Sequence, residues 1–216
     1  VRTANIDRMR ALGLPLPPTE HPLVWESGDT VELRPTAEME ARLAILHLLL
    51  ARCFGMPPRG GMGWLLSSHL VEQVTPPEWE FVTGQAGDHR SFVLHHEAIF
   101  ALTWLLGMTR QLDPTVPSDE RLVELLPNIA AGETFAAWRS RTLAAPRDPA
   151  QAAVQLDYHY CLDWGYLEAE KTGAPLPGLI DADAIGQRRW ALEWAVVFRG
   201  PYHDPPAGWE EVDLSV

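Results

Sequence analysis

The sequence predicts a mainly α fold, a single multi-helix domain over residues 1–216 with a small N-terminal β-hairpin. Two observations carry that expectation. Apolar residues recur at spacings of three and four through several long stretches, the period that lines one face of a helix. Those stretches open on capping residues and close on Gly or Pro, and just one short run alternates apolar with polar residues. The chain divides into an N-terminal helix and hairpin over 1–34, a helical core over 36–199 and a tail over 200–216.

Each element has a local reason. Asn5 to Leu12 reads as a short helix closed by Gly13, after which the Pro-Leu-Pro-Pro run cannot continue it, because proline lacks the amide donor. Leu23 to Arg34 alternates around Ser27, Gly28 and Asp29 and supplies the hairpin. Thr36 caps a long apolar helix that Gly55 and Pro57 end. Residues 57–63, rich in Gly and Pro, read as a mobile loop, and 64–74 as a short helix. Thr75 with Pro76 in the first turn starts another, and residues 84–88 form a loop. Arg90 to Met108 is apolar nearly all round after Glu97, the mark of a central helix. Beyond a turn at Asp113 to Pro117, Ser118 caps a short helix and Glu133 to Leu143 forms a further amphipathic piece. Asp148 caps a long helix entered by Pro149 and closed by Gly173; Asp181 caps the last helix, which Gly200 stops, and Trp209 anchors the tail.

The 216 residues suffice to bury a core, and 46% apolar with 21% charged residues are ordinary proportions for a soluble globular chain. A net charge of −12 argues against nucleic acid or an anionic membrane as partner and suits a basic protein. Cys53 and Cys161 lie far apart in apolar pattern, where thiols behave as small hydrophobes in a reducing compartment. The first residues lack a signal-peptide profile and no apolar run reaches membrane-spanning length, so the expected location is the cytoplasm.

The chemically notable feature is acid on apolar stripes. On the Pro149 helix, Ala153, Leu156, Tyr160, Trp164 and Leu167 recur at helical spacing, and Asp157 and Cys161 share their face. On the last helix, Ile185, Leu192 and Val196 share a stripe with Arg189 and Glu193, four apart and able to pair. Glu97 lies with Val93, Phe100 and Trp104. An unpaired buried carboxylate costs several kcal/mol, so Glu97, Asp157 and Glu193 require partners, for which Arg188, Arg189, Arg42 and His47 are the candidates. The leading expectation is a structural ion-pair network; the alternative is a binding or catalytic centre formed by Glu97, Asp157, Arg188, Arg189 and Glu193 and lined by Trp104, Tyr160, Trp164 and Trp194.

Recognisable cofactor and catalytic patterns are missing. Neither Glu-x-x-His nor His-Glu-x-x-His occurs, so no metal and no cofactor are expected. His159 and Asp163 share a face with Tyr166 and Glu170 that reads as solvated surface. Cys161 and His159 are two apart, about 200° round a helix, and cannot pair. No nucleophile elbow, phosphate loop or dinucleotide fingerprint is present.

The run LDYHYCLDW, the downstream QRRWALEW and the terminal WEEVD, with HEAIFALTWLLG and the block from Val31 to Gly55, resemble the bacterial family catalogued as domain of unknown function 4272. The resemblance implies a mostly helical protein without an assigned activity. The positions that match its pattern are Arg34, Glu97, Trp104, Asp157, Tyr160, Trp164, Arg188, Arg189, Ala191, Leu192 and Trp194. Cys161 stands where the family pattern has an arginine after the tyrosine, and Leu214 and Ser215 where it closes on an acid and a threonine. Asp157 therefore needs another partner, with Arg188 or Arg189 first in line. The functional expectation is a non-enzymatic protein-binding domain, in a narrower form an immunity-type protein that neutralises a toxin; the alternative is an enzyme or small-ligand receptor.

Overall fold

The structure, a computed structural model, describes every residue except 27, 88, 202 and 216, so the parts of the expected turn, loop and tail at Ser27, Asp88, Tyr202 and Val216 lie outside it. Along the chain come α1 (Arg2–Ala11), β1 (Thr30–Leu33), α2 (Thr36–Cys53), α3 (Pro58–Ser67), α4 (Pro76–Thr83), α5 (His89–Val93) and α6 (His95–Leu105). Then follow α7 (Phe135–Arg141), α8 (Pro149–Thr172), α9 (Ala182–Ala195) and β2 (Val196–Arg199), with short 3-10 turns between some of them.

Two of the longest helices start and stop where their sequence says. The Asp148 carboxylate accepts from the amides of Ala150 and Gln151, satisfying donors that the first turn leaves without a helical partner, and Gly173 ends α8 at φ 71°. Asp181 accepts from Ala184 and starts α9 in the same way.

The main core forms where α9 packs between α6 and α8 while α2 covers α6. Leu43, Ile45, Leu46, Leu48 and Leu49 of α2 are all fully buried, although no single stripe could hold five residues so close in sequence. Each such side chain contributes about 1.5–3 kcal/mol relative to exposure. A second apolar cluster joins Met9 and Leu14 to Tyr158, Cys161, Leu162 and Tyr166 of α8. Gly165 makes that approach feasible, since a Cβ there would stand 2.6 Å from Met9 Cε and 2.9 Å from the Pro15 carbonyl oxygen. Cys53 and Cys161 are free thiols.

Four expectations are corrected. The hairpin does not form: β1 pairs antiparallel with β2, Val31 opposite Phe198 and Leu33 opposite Val196. That pairing sets apolar against apolar, whereas residues 23–26 turn away, with the Glu26 amide held by Asp29 and the Trp25 ring against Phe198. The last helix consequently ends at Ala195, where Val196, Val197 and Phe198 favour an extended backbone. The glycine-rich loop is helical as α3, entered by Pro58, and Gly61 lets it lie close to α4, a Cβ there meeting Val82 at 3.1 Å. The long central helix is interrupted at Leu94 into α5 and α6.

The chain contains 16 arginines and one lysine, and many of the guanidiniums tie loops to helices. Arg34 donates to the carbonyls of Trp194 and Pro206, Arg42 to Gln73, Arg147 to Trp104 and Thr109, and Arg52 to Met56. The planar five-donor fork suits this clasping as a lysine ammonium does not. Trp209 anchors the tail, buried edge-on against Trp194 with centroids 5.5 Å apart, while Trp190 Nε1 donates to its carbonyl at 3.0 Å.

Candidate functional site

The acids do not meet. Glu97, Asp157 and Glu193 belong to three ion-pair groups, and among the described residues no hydrogen bond joins one group to another.

In the first group, Arg188 of α9 is fully buried and grips Glu97 of α6 with Nε and Nη2, both 2.7 Å from Oε2. The other carboxylate oxygen accepts from the Ser118 amide at 3.0 Å and stands 3.0 Å from His96 Nε2. Burial opposes ionisation, but the His96 hydrogen bond and the Arg188 charge overcome it and hold the Glu97 carboxyl down to about 2. The same carboxylate raises the affinity of His96 for its proton. Arg188 also donates to the carbonyls of Asp113 and Val116, so this pair fixes the 113–118 loop onto α6 and α9.

Asp157 is paired by neither arginine of α9, contrary to expectation. Arg2 Nε and Nη2 reach its Oδ1 at 2.9 and 2.7 Å, and Asn5 Nδ2 reaches Oδ2 at 2.8 Å. Helix α1 thus docks on α8 through a carboxylate with both oxygens satisfied. Nothing local announces a partner 155 residues away. Of the other candidates, Arg42 pairs with Glu78 at 2.5 Å and His47 contacts the Pro127 carbonyl at 3.1 Å.

The third group corrects the reading of α8. His159, Asp163 and Tyr166 are buried rather than solvated, because α9 and the 112–116 loop cover that face, and only Glu170 is exposed. The Tyr166 hydroxyl donates to Pro114 O at 2.7 Å, and His159 Nδ1 lies 3.0 Å from Gln155 O. Burial pushes His159 down to about 3. The exposed side of the helix instead carries Leu167, which the stripe placed inward. Arg189 donates through Nη1 to Asp163 at 2.6 Å and through Nε to Glu193 at 3.2 Å. Burial raises both carboxyls above their ordinary range, and one guanidinium lowers each without restoring it.

The third group borders a cavity. This cavity, of about 250 Å3, is bounded by Tyr160, Arg189, Glu193, Phe198, His203 and Asp213. His203 is held there by Asp29 at 2.6 Å, and Gly200 admits that contact, since a Cβ would stand 2.2 Å from Asp29 Oδ1. Of the four expected aromatic residues, Tyr160 alone lines this cavity. Trp104 lies under Arg147, Trp194 lies between Arg34 and Trp209, and Trp164 stands near the His21 ring. A wider groove of about 750 Å3 over His47 and residues 123–133 is largely apolar and is bordered by the Glu133–Arg141 pair, not by Arg188 or Arg189.

Sequence reasoning missed Asp163, Arg2 and His203 here. For Asp163 a signal was available: two adjacent arginines in an apolar helix need more acid than Glu193 alone supplies. Among the described residues, no three His, Cys, Asp or Glu side chains are grouped to hold a metal, and no helix is long and apolar enough to cross a membrane.

A mainly helical fold stapled by one two-stranded ribbon, with two adjacent buried arginines on α9, describes the class. The chain belongs to the family Domain of unknown function (DUF4272), whose model matches residues 2–212. No curated protein and no solved structure matches it.

Proposed function

We propose that this is a non-catalytic domain that binds a basic protein. One observation supports the reading above others: among the described residues, exposed acids outnumber exposed basic side chains. Arg2, Arg34, Arg42, Arg188 and Arg189 are wholly or largely buried on carbonyls and carboxylates. Arg141, Arg199 and Lys171 at the surface already pair with Glu133, Glu32 and Glu168. The field presented to a partner is therefore acidic. Where α8 ends and α9 begins, exposed Glu170, Asp181 and Asp183 accompany Leu167 and Leu179, which are 49% and 86% exposed. Apolar anchors beside acid suit a basic surface with an apolar centre, the form in which an immunity-type protein would mask a cationic toxin.

The test is affinity capture from the native host with the wild type and the double variant Leu179→Ser, Asp183→Asn, which spares both helix caps. One stoichiometric basic partner is expected, weakened by salt and lost with the variant. Equal capture by both proteins, or a partner indifferent to ionic strength, overturns the proposal.

A further inference from the structure

We infer that the cavity beside Glu193 is a binding site for an alkylammonium group, either a free aliphatic amine or the side chain of a lysine. Three observations lead there, and none depends on the protein-binding reading above.

The first is charge. Arg189 is the cavity's permanent cation, and its single charge is shared between Asp163 and Glu193 while Nη1 also donates to Leu214 O. Asp204 and Asp213 line the same space, and the imidazole of His203 is engaged by Asp29. Carboxylates outnumber cations around the opening, so an anion is repelled and a cation restores balance.

The second is unused hydrogen-bonding capacity. Tyr160 is only 8% exposed, yet among the described residues its hydroxyl makes no hydrogen bond, and it lines the cavity. A hydroxyl with no protein partner beside a cavity can bond a ligand that enters it. Glu193 uses one oxygen on Arg189; among the described residues nothing donates to the other. A tyrosine oxygen and a carboxylate oxygen are acceptors, and an ammonium offers three donors and no acceptor. The Tyr160 ring already carries the Arg189 guanidinium at 4.5 Å, showing a face that tolerates positive charge.

The third is shape. Val196, Phe198, Pro205 and Pro206 supply apolar wall in the same cavity, matching an aliphatic chain behind a charged head. A volume of about 250 Å3 falls below the range for drug-sized ligands and suits a chain of a few carbons. Burial raises Glu193, and an ammonium beside it would favour the ionised carboxylate.

Calorimetric titration of the full chain with 1,5-diaminopentane, Nα-acetyl-lysine methylamide, 1-pentanol and pentanoate tests the site. One amine should bind with unit stoichiometry and the alcohol and the acid should not. Glu193→Gln should weaken the amine about tenfold or more and Tyr160→Phe about fivefold, the ranges for charged and neutral hydrogen bonds. If Glu193→Gln does not fold, Asp213→Asn with Tyr160→Phe carries the test. Tighter binding of the lysine derivative assigns the site to a protein side chain, and tighter binding of the diamine to a free amine. Alcohol or pentanoate bound as tightly as the amines, no binding by either amine, or affinity unchanged in the variants overturns the inference. Because no protein partner enters the titration, its failure leaves the protein-binding proposal standing, and the converse holds.

Discussion

Arg188 and Arg189 are neighbours on one helix, both buried, and the regions around them behave oppositely. Arg188 meets one carboxylate, Glu97, which keeps its charge with a pKa held down to about 2. Arg189 meets two, Asp163 and Glu193, and both are raised. Glu97 is served by Arg188, His96 and the Ser118 amide, whereas Asp163 and Glu193 share one guanidinium. The difference therefore comes from the ratio of acids to donors and from access to space. A matched and sealed pair is a joint between helices. An overcommitted arginine beside a cavity leaves a carboxylate with capacity for something else.

The comparison breaks most sharply at Glu97. Glu97→Gln strands the Arg188 charge in the interior and should cost about 3–5 kcal/mol in urea unfolding; a loss below about 1 kcal/mol would mean that the pair is not a joint. Asp163→Asn should cost less, about 1–3 kcal/mol, because Glu193 remains to compensate Arg189. It should also bring the Glu193 carboxyl down, which side-chain NMR titration can follow, and a Glu193 that does not move would show that the two acids are not coupled. Glu193→Gln should change stability at neutral pH by no more than about 1 kcal/mol, since an amide resembles the protonated acid that burial favours.

Acid titration of stability sharpens the contrast through its sign. Glu97 is lowered in the folded state, so its contribution is fully present above the ordinary 4.5 and is lost as pH falls from there towards about 2. His159, lowered to about 3, likewise costs stability as pH falls below 6.5, where the unfolded chain binds the proton first. Glu193, facing Arg189, Asp163, Asp213 and Tyr160, is raised and works the other way: it favours the fold at low pH, and that contribution fades as pH rises through 4.5 and then its higher folded value. The stability of Glu193→Gln relative to wild type should therefore improve as pH rises from about 4 to 7. A difference that stays flat or slopes downward over that interval would contradict the raised carboxyl.

What the sequence made legible was local. The caps at Asp148 and Asp181, the stop at Gly173 and the inward aim of Glu97 and Asp157 follow from side-chain chemistry within a few residues. Partners set by long-range packing did not. Val31 has no reason of its own to prefer Phe198 over a neighbour across a tight turn, and Arg2 gives no sign of Asp157. Asp163 was misplaced because a helix with one polar stripe was assumed to keep it wet, whereas α9 covers it and brings the arginine that it needs. The glycines of α3 read as loop because helix propensity ignores Gly61, whose missing side chain is what lets two helices touch.

The ribbon of β1 and β2 also sets an order of events during synthesis. Residues 30–33 leave the ribosome well before their partners at 196–199, an interval of roughly 10–30 s at ordinary elongation rates. Throughout it β1 has no strand to join and Arg2 no Asp157 until α8 is made, while α2 to α6 can already pack among themselves. Helix α1 and β1 therefore wait for the C-terminal half of the chain before they can dock on α8 and β2.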